Sequence, residues 1–216
     1  MADGLYMSPS NLFRVYMYSE GLTRYENEQG HWMFLDRQGR ETLRADYDTV
    51  LNFREGRAAV SKNGKWGFIN REGKEVIPLR YDEIRDDDGY GMHAGTSGFY
   101  EGLSAVSKNG KWGFIDQSGK EVIPLTYDWA NNFHEGLAVV SKNGKWGYVN
   151  QDGDEVIPLV YDDALHFSEG LGSVLRLNDS GHGFHWMFVD RSGKIVTDFK
   201  NKYEMVYPYH EGVAIA

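Results

Sequence analysis

The sequence contains no cysteine among its 216 residues. Disulfides, thiolate nucleophiles, Cys-ligated zinc and iron–sulfur clusters are therefore excluded. Proline is also scarce, with 5 residues, and no apolar run approaches the roughly 20 residues that a membrane-spanning helix needs. Residues 1–11 lack the basic and apolar segments of a signal peptide, so we expect a cytoplasmic location and no membrane insertion.

Positive charge is sparse as well. Lys and Arg number 23 against 32 Asp and Glu, which gives a formal net charge of −9. Nucleic-acid backbones require concentrated positive charge, and Lys and Arg never form a run longer than two here, so we expect no nucleic-acid binding. The acidity suits either a basic partner or simple solubility.

Known catalytic signatures are missing from the sequence. It has no Gly-x-Ser-x-Gly elbow, no His-Glu-x-x-His and no phosphate-binding loop. We therefore expect a protein that is not an enzyme and that uses neither a cofactor nor a metal.

What the sequence has in abundance is internal repetition. The segment 61–70, Ser-Lys-Asn-Gly-Lys-Trp-Gly-Phe-Ile-Asn, recurs almost unchanged at 107–116 and 141–150. Each copy continues into Val-Ile-Pro-Leu and Tyr-Asp, and a Phe with a nearby Glu-Gly pair follows further on. Degenerate copies surround Trp32 and Trp186. Repetition at this period indicates an array of small structural units.

This pattern resembles the bacterial WG (KWG) repeat family, whose hallmark is Glu-Gly-Leu, then Gly-Lys-Trp-Gly-Phe-Ile-Asp, then Ile-Pro and Tyr-Asp. The resemblance covers nearly the whole chain and is strongest in the three central copies, whereas Met33 and Met187 replace the second glycine of the motif in the outer copies. It implies a binding or scaffold repeat and carries no catalytic residues over to this sequence.

The copy at 133–162 predicts a unit of about three short antiparallel strands. Asn143-Gly144 is a strong hairpin signal, because a type I′ turn needs positive φ at both central residues, and this turn would pair Val139 with Tyr148. We expect an all-β fold in which tandem units stack as a curved solenoid or superhelical half-barrel. A five-bladed β-propeller is the alternative.

We expect residues 1–216 to form a single repeat domain. The predicted units span approximately 12–52, 53–98, 99–132, 133–166 and 167–208, and a capping strand follows at 209–216.

Strand alternation places apolar side chains on both faces of each unit, so neighbouring units should bury them. This pattern predicts that the side chain of Ile157 lies on the same face of the sheet as Val149, and that Tyr148 lies on the other face. The third strand of the unit is expected to end at Pro158, since proline cannot donate to a ladder.

The tryptophans and the glycines that follow them are predicted to be structural. A mid-strand glycine marks close approach by another group, and we expect that group to be a bulky side chain of the adjacent unit, with relief of strand twist as the alternative. The predicted structural residues are Trp32, Trp66, Trp112, Trp146, Trp186, Gly67, Gly113 and Gly147. The Tyr-Asp aspartates are expected to accept backbone N–H bonds from the following turn; they are Asp82, Asp128 and Asp162. Histidines beside the Glu-Gly pairs are also expected to be structural; they are His134, His166 and His210.

Two insertions break the repeat, and loops on a rigid scaffold often carry function. Acidic, aromatic and histidine side chains in them are candidates for ligand contact, although the aspartate spacing does not match an EF-hand loop and plain flexible loops are the alternative. The candidate binding residues are Asp86, Asp87, Asp88, Tyr90, Met92 and His93 in the first insertion and Asp179, His182 and His185 in the second.

These features together predict a non-catalytic binding or scaffold protein whose partner is another protein. One alternative is a carbohydrate or cell-wall binding module, which would require exposed indole rings at Trp66, Trp112 and Trp146. Another is an immunity or inhibitor protein that neutralises a bacterial toxin, which an acidic and compact chain would suit.

Overall fold

The computed structural model describes residues 18–85, 98–177 and 184–199, with Lys202 and Pro208. Within these ranges the chain contains no helix, and its strands form five antiparallel sheets. Sheet 1 has three strands and sheets 2 to 5 have four each. The described part of the chain accordingly has no helix of membrane-spanning length.

The strands follow one another in chain order within every sheet. Sheet 1 contains β1 (Leu22–Glu26), β2 (Trp32–Asp36) and β3 (Glu41–Ala45). Sheet 2 contains β4 (Thr49–Arg54), β5 (Arg57–Lys62), β6 (Lys65–Ile69) and β7 (Glu75–Tyr81). Sheet 3 contains β8 (Glu83–Ile84), β9 (Leu103–Lys108), β10 (Lys111–Asp116) and β11 (Glu121–Tyr127). Sheet 4 contains β12 (Trp129–His134), β13 (Leu137–Lys142), β14 (Lys145–Asn150) and β15 (Glu155–Tyr161). Sheet 5 contains β16 (Asp163–Ala164), β17 (Leu171–Leu177), β18 (Phe184–Asp190) and β19 (Ile195–Asp198).

Each of sheets 2 to 5 begins with a strand that was absent from the predicted unit of three strands. These strands, β4, β8, β12 and β16, lie between a Tyr-Asp pair and the next Glu-Gly pair, and each pairs with the strand that follows it. The prediction of tandem all-β repeats is confirmed. The choice between an open stack and a five-bladed ring stays a prediction, and the predicted cap at 209–216 lies outside the described residues.

Two kinds of tight turn set the register of the sheets. Asn143 and Gly144 have φ of 55° and 72°, and Val139 pairs with Tyr148, which confirms the predicted type I′ hairpin. The Glu-Gly pairs form the second kind of turn, and each of their glutamates has a φ between 49° and 54°. Non-glycine residues seldom adopt this conformation; here they are Glu20, Glu55, Glu101, Glu135 and Glu169.

Apolar side chains fill the space between successive sheets. Phe114 of sheet 3 packs against Phe133 of sheet 4 with ring centroids 4.8 Å apart, and Ala138 and Val140 complete the same cluster. Equivalent aromatic pairs join the other sheets at 4.8 to 4.9 Å, namely Phe34–Phe53, Phe68–Phe99 and Tyr148–Phe167. The prediction that neighbouring copies bury both faces is confirmed.

Ile157 lies on the face opposite to the predicted one. It pairs with Tyr148 and packs in the same cluster. An irregularity between Glu155 and Ile157 shifts the register by one residue and so reverses the alternation. Pro158 does not end the strand either. It lies in a second irregularity of β15, which continues to Tyr161.

Gly113 accommodates backbone, so the prediction of an adjacent unit's side chain was wrong. A Cβ on Gly113 would lie 2.5 Å from the carbonyl oxygen of Ile123 and 2.7 Å from the carbonyl carbon of Pro124. Both atoms belong to β11 of the same sheet, where a bulge presses the strand against the glycine. Gly67 and Gly147 meet the corresponding oxygens at 2.4 and 2.5 Å.

The outer copies replace this glycine with methionine because they lack the bulge. Met33 pairs regularly with Arg44, and Met187 pairs with Asp198. Neither β3 nor β19 contains the proline of the central copies. The glycine, the proline and the bulge therefore occur together or not at all in these sheets.

The aspartate of each Tyr-Asp pair links one sheet to the next. Asp82 accepts the backbone N–H of Asn109 at 2.6 Å through Oδ2 and the ammonium of Lys65 through Oδ1. Asp128 and Asp162 form the same bonds in the following sheets, which confirms the predicted N–H acceptance. The lysine and then the backbone N–H lower the pKa of Asp82 and Asp128 below its ordinary value.

We expect acid to destabilise the protein as the pH falls below about 4, the ordinary pKa of an aspartate. A carboxylate whose folded-state pKa is lowered stabilises the fold above the unfolded value, and this contribution is lost as the pH falls through the folded value. The measurement is the thermal midpoint between pH 7 and pH 2.5. Asp128→Asn should reduce the slope of this dependence, and an unchanged slope in that variant would contradict the assignment.

Candidate functional site

Most of the predicted binding residues lie outside the described residues; they are Asp86, Asp87, Asp88, Tyr90, Met92, His93, Asp179 and His182. His185 is described, and its Nδ1 lies 3.8 Å from Oδ1 of Asp198. His31 occupies the same position of sheet 1 and lies 3.6 Å from Asp46. Because a histidine–aspartate contact occurs in both outer sheets, we interpret it as a structural contact of the repeat. No cluster of three or more acidic or histidine side chains suited to a metal occurs in the described ranges.

The indole rings are packed into the structure. Trp112 is 7% exposed, Trp32 and Trp186 are also buried, and Trp66 and Trp146 are half-buried. The guanidinium of Arg85 lies 4.5 Å from the ring centroid of Trp112 and 4.2 Å from that of Trp129. The rings therefore bury their faces against neighbouring groups of the protein, as expected of structural tryptophans.

A pocket of 470 Å³ opens where the Glu-Gly turns of sheets 2 to 5 meet. Four copies of the repeat contribute equivalent segments to its wall. The lining residues are Arg54, Glu55, Tyr100, Glu101, Phe133, His134, Glu135, His166, Phe167 and Ser168. Repetition thus brings together residues that are far apart in the sequence.

The lining contains constant and variable positions of the repeat. The phenylalanine and the glutamate recur in all four copies, whereas the residue between them is Arg54, Tyr100, His134 or Ser168. The phenylalanines are buried in the clusters between sheets, where they stabilise the packing of one sheet on the next. Repeat proteins use extended concave surfaces for binding. In this pocket each copy of the repeat supplies a different chemical group from the variable position.

Three of the variable side chains, Arg54, Tyr100 and His134, form a stacked row that His166, the residue before Phe167, extends. The guanidinium carbon of Arg54 lies 3.4 Å from the ring centroid of Tyr100. Tyr100 and His134 have centroids 5.6 Å apart, and His134 and His166 are 4.5 Å apart. The row presents planar rings and one cation to the pocket, a surface on which aromatic or cationic groups stack.

The glutamates of the turns connect the sheets through what we call the carboxylate ladder. Oε2 of Glu55, Glu101 and Glu135 accepts the N–H of the next turn's glycine. Those glycines are Gly102, Gly136 and Gly170, at 3.0, 2.8 and 2.9 Å. A side chain of the next sheet also reaches each carboxylate; these are Gln117, Gln151 and Arg191.

These sheets, turns and shared contacts define a tandem β-repeat protein whose units are joined side by side. The family described as WG containing repeat matches residues 32–66, 66–92, 96–112, 112–146, 146–178 and 186–216. The chain belongs to this family, and the resemblance noted in the sequence is confirmed. A comparison with curated proteins finds no match.

A comparison with solved structures finds chains that align with most of this one. A eukaryotic initiation factor aligns with a TM-score of 0.54 at 8% identity, over 88% of this chain and 55% of its own. BamB from Moraxella catarrhalis aligns with a TM-score of 0.46 at 13% identity, over 85% of this chain and 62% of its own. The computationally designed Ika4 protein gives 0.44 at 14% identity, over 69% of this chain and 99% of its own. This chain thus spans under two thirds of the two natural structures, and at these identities the likeness concerns the fold alone.

Sequence reasoning missed the pocket. His134 and His166 were expected to be structural, and Arg54 and Tyr100 were not singled out. A usable signal was present, since the copies differ at the position between Phe and Glu while both neighbours stay constant.

Proposed function

We propose that this chain is a non-catalytic interaction scaffold whose pocket binds a segment of another protein. The observation that carries the proposal is the pocket at the Glu-Gly turns, where four copies place one variable residue each beside constant neighbours. This arrangement keeps the scaffold identical from copy to copy while the contact surface varies, as binding repeats require.

A segment with a basic side chain suits the pocket best. Glu55, Glu101 and Glu135 line the wall, and Arg54 is the one arginine or lysine among the lining residues. Within the described residues, Oε1 of Glu55 and of Glu101 accepts no hydrogen bond, so both can receive a ligand N–H. The net charge of −9 would also steer a basic partner toward the protein.

Carbohydrate stacking on the repeat tryptophans is disfavoured by the same structure. The ring of Trp112 is buried, and Trp66 and Trp146 pack against the clusters between sheets. A sugar ring needs an open aromatic face, so these positions do not supply a repeated platform for a glycan.

The test replaces two half-buried residues of the row, Arg54→Ala together with His134→Ala. We expect this variant to lose at least tenfold of its partner binding, which corresponds to about 1.4 kcal/mol, because two contact groups of the pocket are removed. The measurement is quantitative mass spectrometry of proteins captured from a lysate by the wild type and by the variant, followed by the affinity of the purified partner.

The matched control is Lys108→Ala together with Lys142→Ala, which removes two exposed charges at the opposite ends of the strands. The control should retain the partner in full. A partner captured equally by both variants would place binding elsewhere, and the pocket proposal would then be wrong.

A further inference from the structure

One position of the repeat carries arginine in the outer copies and glutamine in the two inner ones. It is the second residue of the Asp/Asn-x-x-Gly turn that precedes the last strand of each sheet. In chain order the copies have Arg37, Arg71, Gln117, Gln151 and Arg191. In sheets 2 to 5 this side chain reaches the glutamate of a Glu-Gly turn. The exchange of arginine for glutamine therefore changes the charge beside that glutamate.

The arginines of sheets 2 and 5 form ion pairs with their glutamates. Nη2 of Arg71 lies 2.9 Å from Oε2 of Glu20. Nη2 of Arg191 lies 3.4 Å from Oε2 of Glu135. Both carboxylates also accept the glycine N–H of the next Glu-Gly turn. These two copies show that a guanidinium fits beside a carboxylate that is already bonded to the following sheet.

Glu55 and Glu101 do not have this countercharge. The neutral amides of Gln117 and Gln151 donate to their Oε2 atoms at 3.2 and 3.3 Å. Across 18–85, 98–177 and 184–199, neither carboxylate forms an ion pair, and Oε1 of each accepts no hydrogen bond. Charge-assisted hydrogen bonds are stronger than neutral ones, so the two inner copies have lost a stabilising contact that the outer copies keep.

The two copies that lost the arginine are the ones whose glutamates lie beside the stacked row. Glu55 and Glu101 line the pocket next to Arg54 and Tyr100. Oε2 of Glu55 lies 3.0 Å from the backbone nitrogen of Gly102, the residue after Glu101, so the two carboxylates occupy adjacent turns. Arg54 stacks on Tyr100 and, in the described part of the chain, pairs with neither carboxylate. The pocket thus presents two uncompensated carboxylates beside planar groups.

We propose that the partner segment inserts an arginine whose guanidinium donates to the Oε1 atoms of Glu55 and Glu101. This inference rests on the proposed function and specifies the side chain that the pocket selects. Arginine suits the site better than lysine, because its planar fork has five donors, stacks on aromatic rings and is more weakly hydrated than an ammonium. The ligand would then supply the charge that Arg71 and Arg191 supply in the other copies.

The first experiment selects ligands from a random peptide library displayed on phage, with the wild-type protein as the bait. We expect arginine to be enriched in the bound peptides. One selected peptide is then synthesised with arginine, with lysine and with citrulline, which keeps the shape of arginine without its charge. The lysine form should bind about fivefold more weakly and the citrulline form about tenfold more weakly, because neither offers a charged fork. Equal binding of all three forms would overturn the proposal.

Two double variants test the assigned carboxylates. Glu55→Gln with Glu101→Gln removes both charges and keeps an oxygen that can accept the glycine N–H. Gln117→Arg with Gln151→Arg gives the inner copies the ion pairs of the outer ones, and its thermal midpoint should equal or exceed that of the wild type. We expect either variant to weaken binding of the arginine peptide about tenfold. The second variant adds contacts, so its loss of binding would not reflect unfolding.

The matched control is Glu121→Gln with Glu155→Gln. Both glutamates are exposed, and neither lines the pocket. The control changes the net charge by the same amount as each test variant, and it should retain the affinity of the wild type. An equal loss of affinity in the control would attribute binding to the overall charge of the protein and overturn the assignment of the two carboxylates.

The pocket variant Arg54→Ala with His134→Ala separates this inference from the proposed function. Peptides that lose affinity in this variant but keep it in both carboxylate variants would overturn the arginine site and leave the pocket proposal standing. Peptides that bind this variant as tightly as the wild type would overturn the pocket proposal, and the arginine site with it.

Discussion

Replacing Gly113 with alanine is expected to lower the free energy of unfolding by about 3 kcal/mol, at the upper end of overpacking effects. The new Cβ would lie 2.5 Å from the carbonyl oxygen of Ile123. Relief requires the bulge of β11 to move, and that strand also packs against the neighbouring sheet. The measurement is urea unfolding followed by tryptophan fluorescence.

Gly110→Ala is the matched control for this change. Gly110 has a φ of 72° and no atom within 4 Å of its potential Cβ, so alanine there meets only the backbone penalty of a left-handed conformation, about 1 to 2 kcal/mol. If Gly113→Ala were no more destabilising than Gly110→Ala, the close approach of β11 would not be the reason for the glycine.

Gly172→Ala is expected to destabilise the protein by about 2 kcal/mol, whereas Gly172→Ala combined with Tyr148→Phe should return to within about 1 kcal/mol of the wild type. A Cβ on Gly172 would lie 2.6 Å from the ring of Phe167 and 2.8 Å from the hydroxyl of Tyr148. The double variant reproduces sheets 3 and 4, where Phe114 packs in one cluster with Ala138.

Tyr148→Phe alone completes this double-mutant cycle. The hydroxyl oxygen of Tyr148 lies 2.7 and 2.9 Å from the carbonyl oxygens of Leu165 and Ser173, which share its single proton, so its removal should cost about 1 kcal/mol. The expected coupling between the two sites is favourable, because Tyr148→Phe removes the hydroxyl that the Cβ of Gly172→Ala would meet, and the new methyl group fills the space that the hydroxyl leaves. Additive losses from urea unfolding would contradict the idea that Gly172 compensates for Tyr148.

The local features of the repeat could be predicted because short-range rules fix them. Asn143-Gly144 determines a two-residue turn, and that turn determines the register of the pair Val139 and Tyr148. The burial of both faces followed from apolar residues on both sides of the strands. These inferences needed only residues that are close in the sequence.

The features that could not be predicted depend on how strands meet. The face of Ile157 changed because of an irregularity that is visible only once β14 and β15 are paired. The partner of Gly113 was assigned to another unit, since a mid-strand glycine signals close contact without identifying the contacting group. The continuation of β15 through Pro158 was also missed, because the irregularity that accommodates the proline is visible only in the paired strands.

The candidate site was harder still to predict. The sequence pattern favoured the insertions as binding sites because they interrupt the repeat, whereas the pocket is built from the repeat itself. Arg54, Tyr100 and His134 are adjacent only after three sheets have been placed side by side. A comparison of the copies position by position would have identified the variable residue, although not the pocket that these residues share.

The left-handed glutamates make the energetics of this array depend on copy number. Each holds a backbone conformation that costs about 1 to 2 kcal/mol for a residue with a side chain. The carboxylates of four of them, Glu20, Glu55, Glu101 and Glu135, bond to the next sheet. An excised single copy keeps the cost and loses the bond. Nearest-neighbour cooperativity of this kind makes whole copies the natural unit of gain or loss during the evolution of the protein.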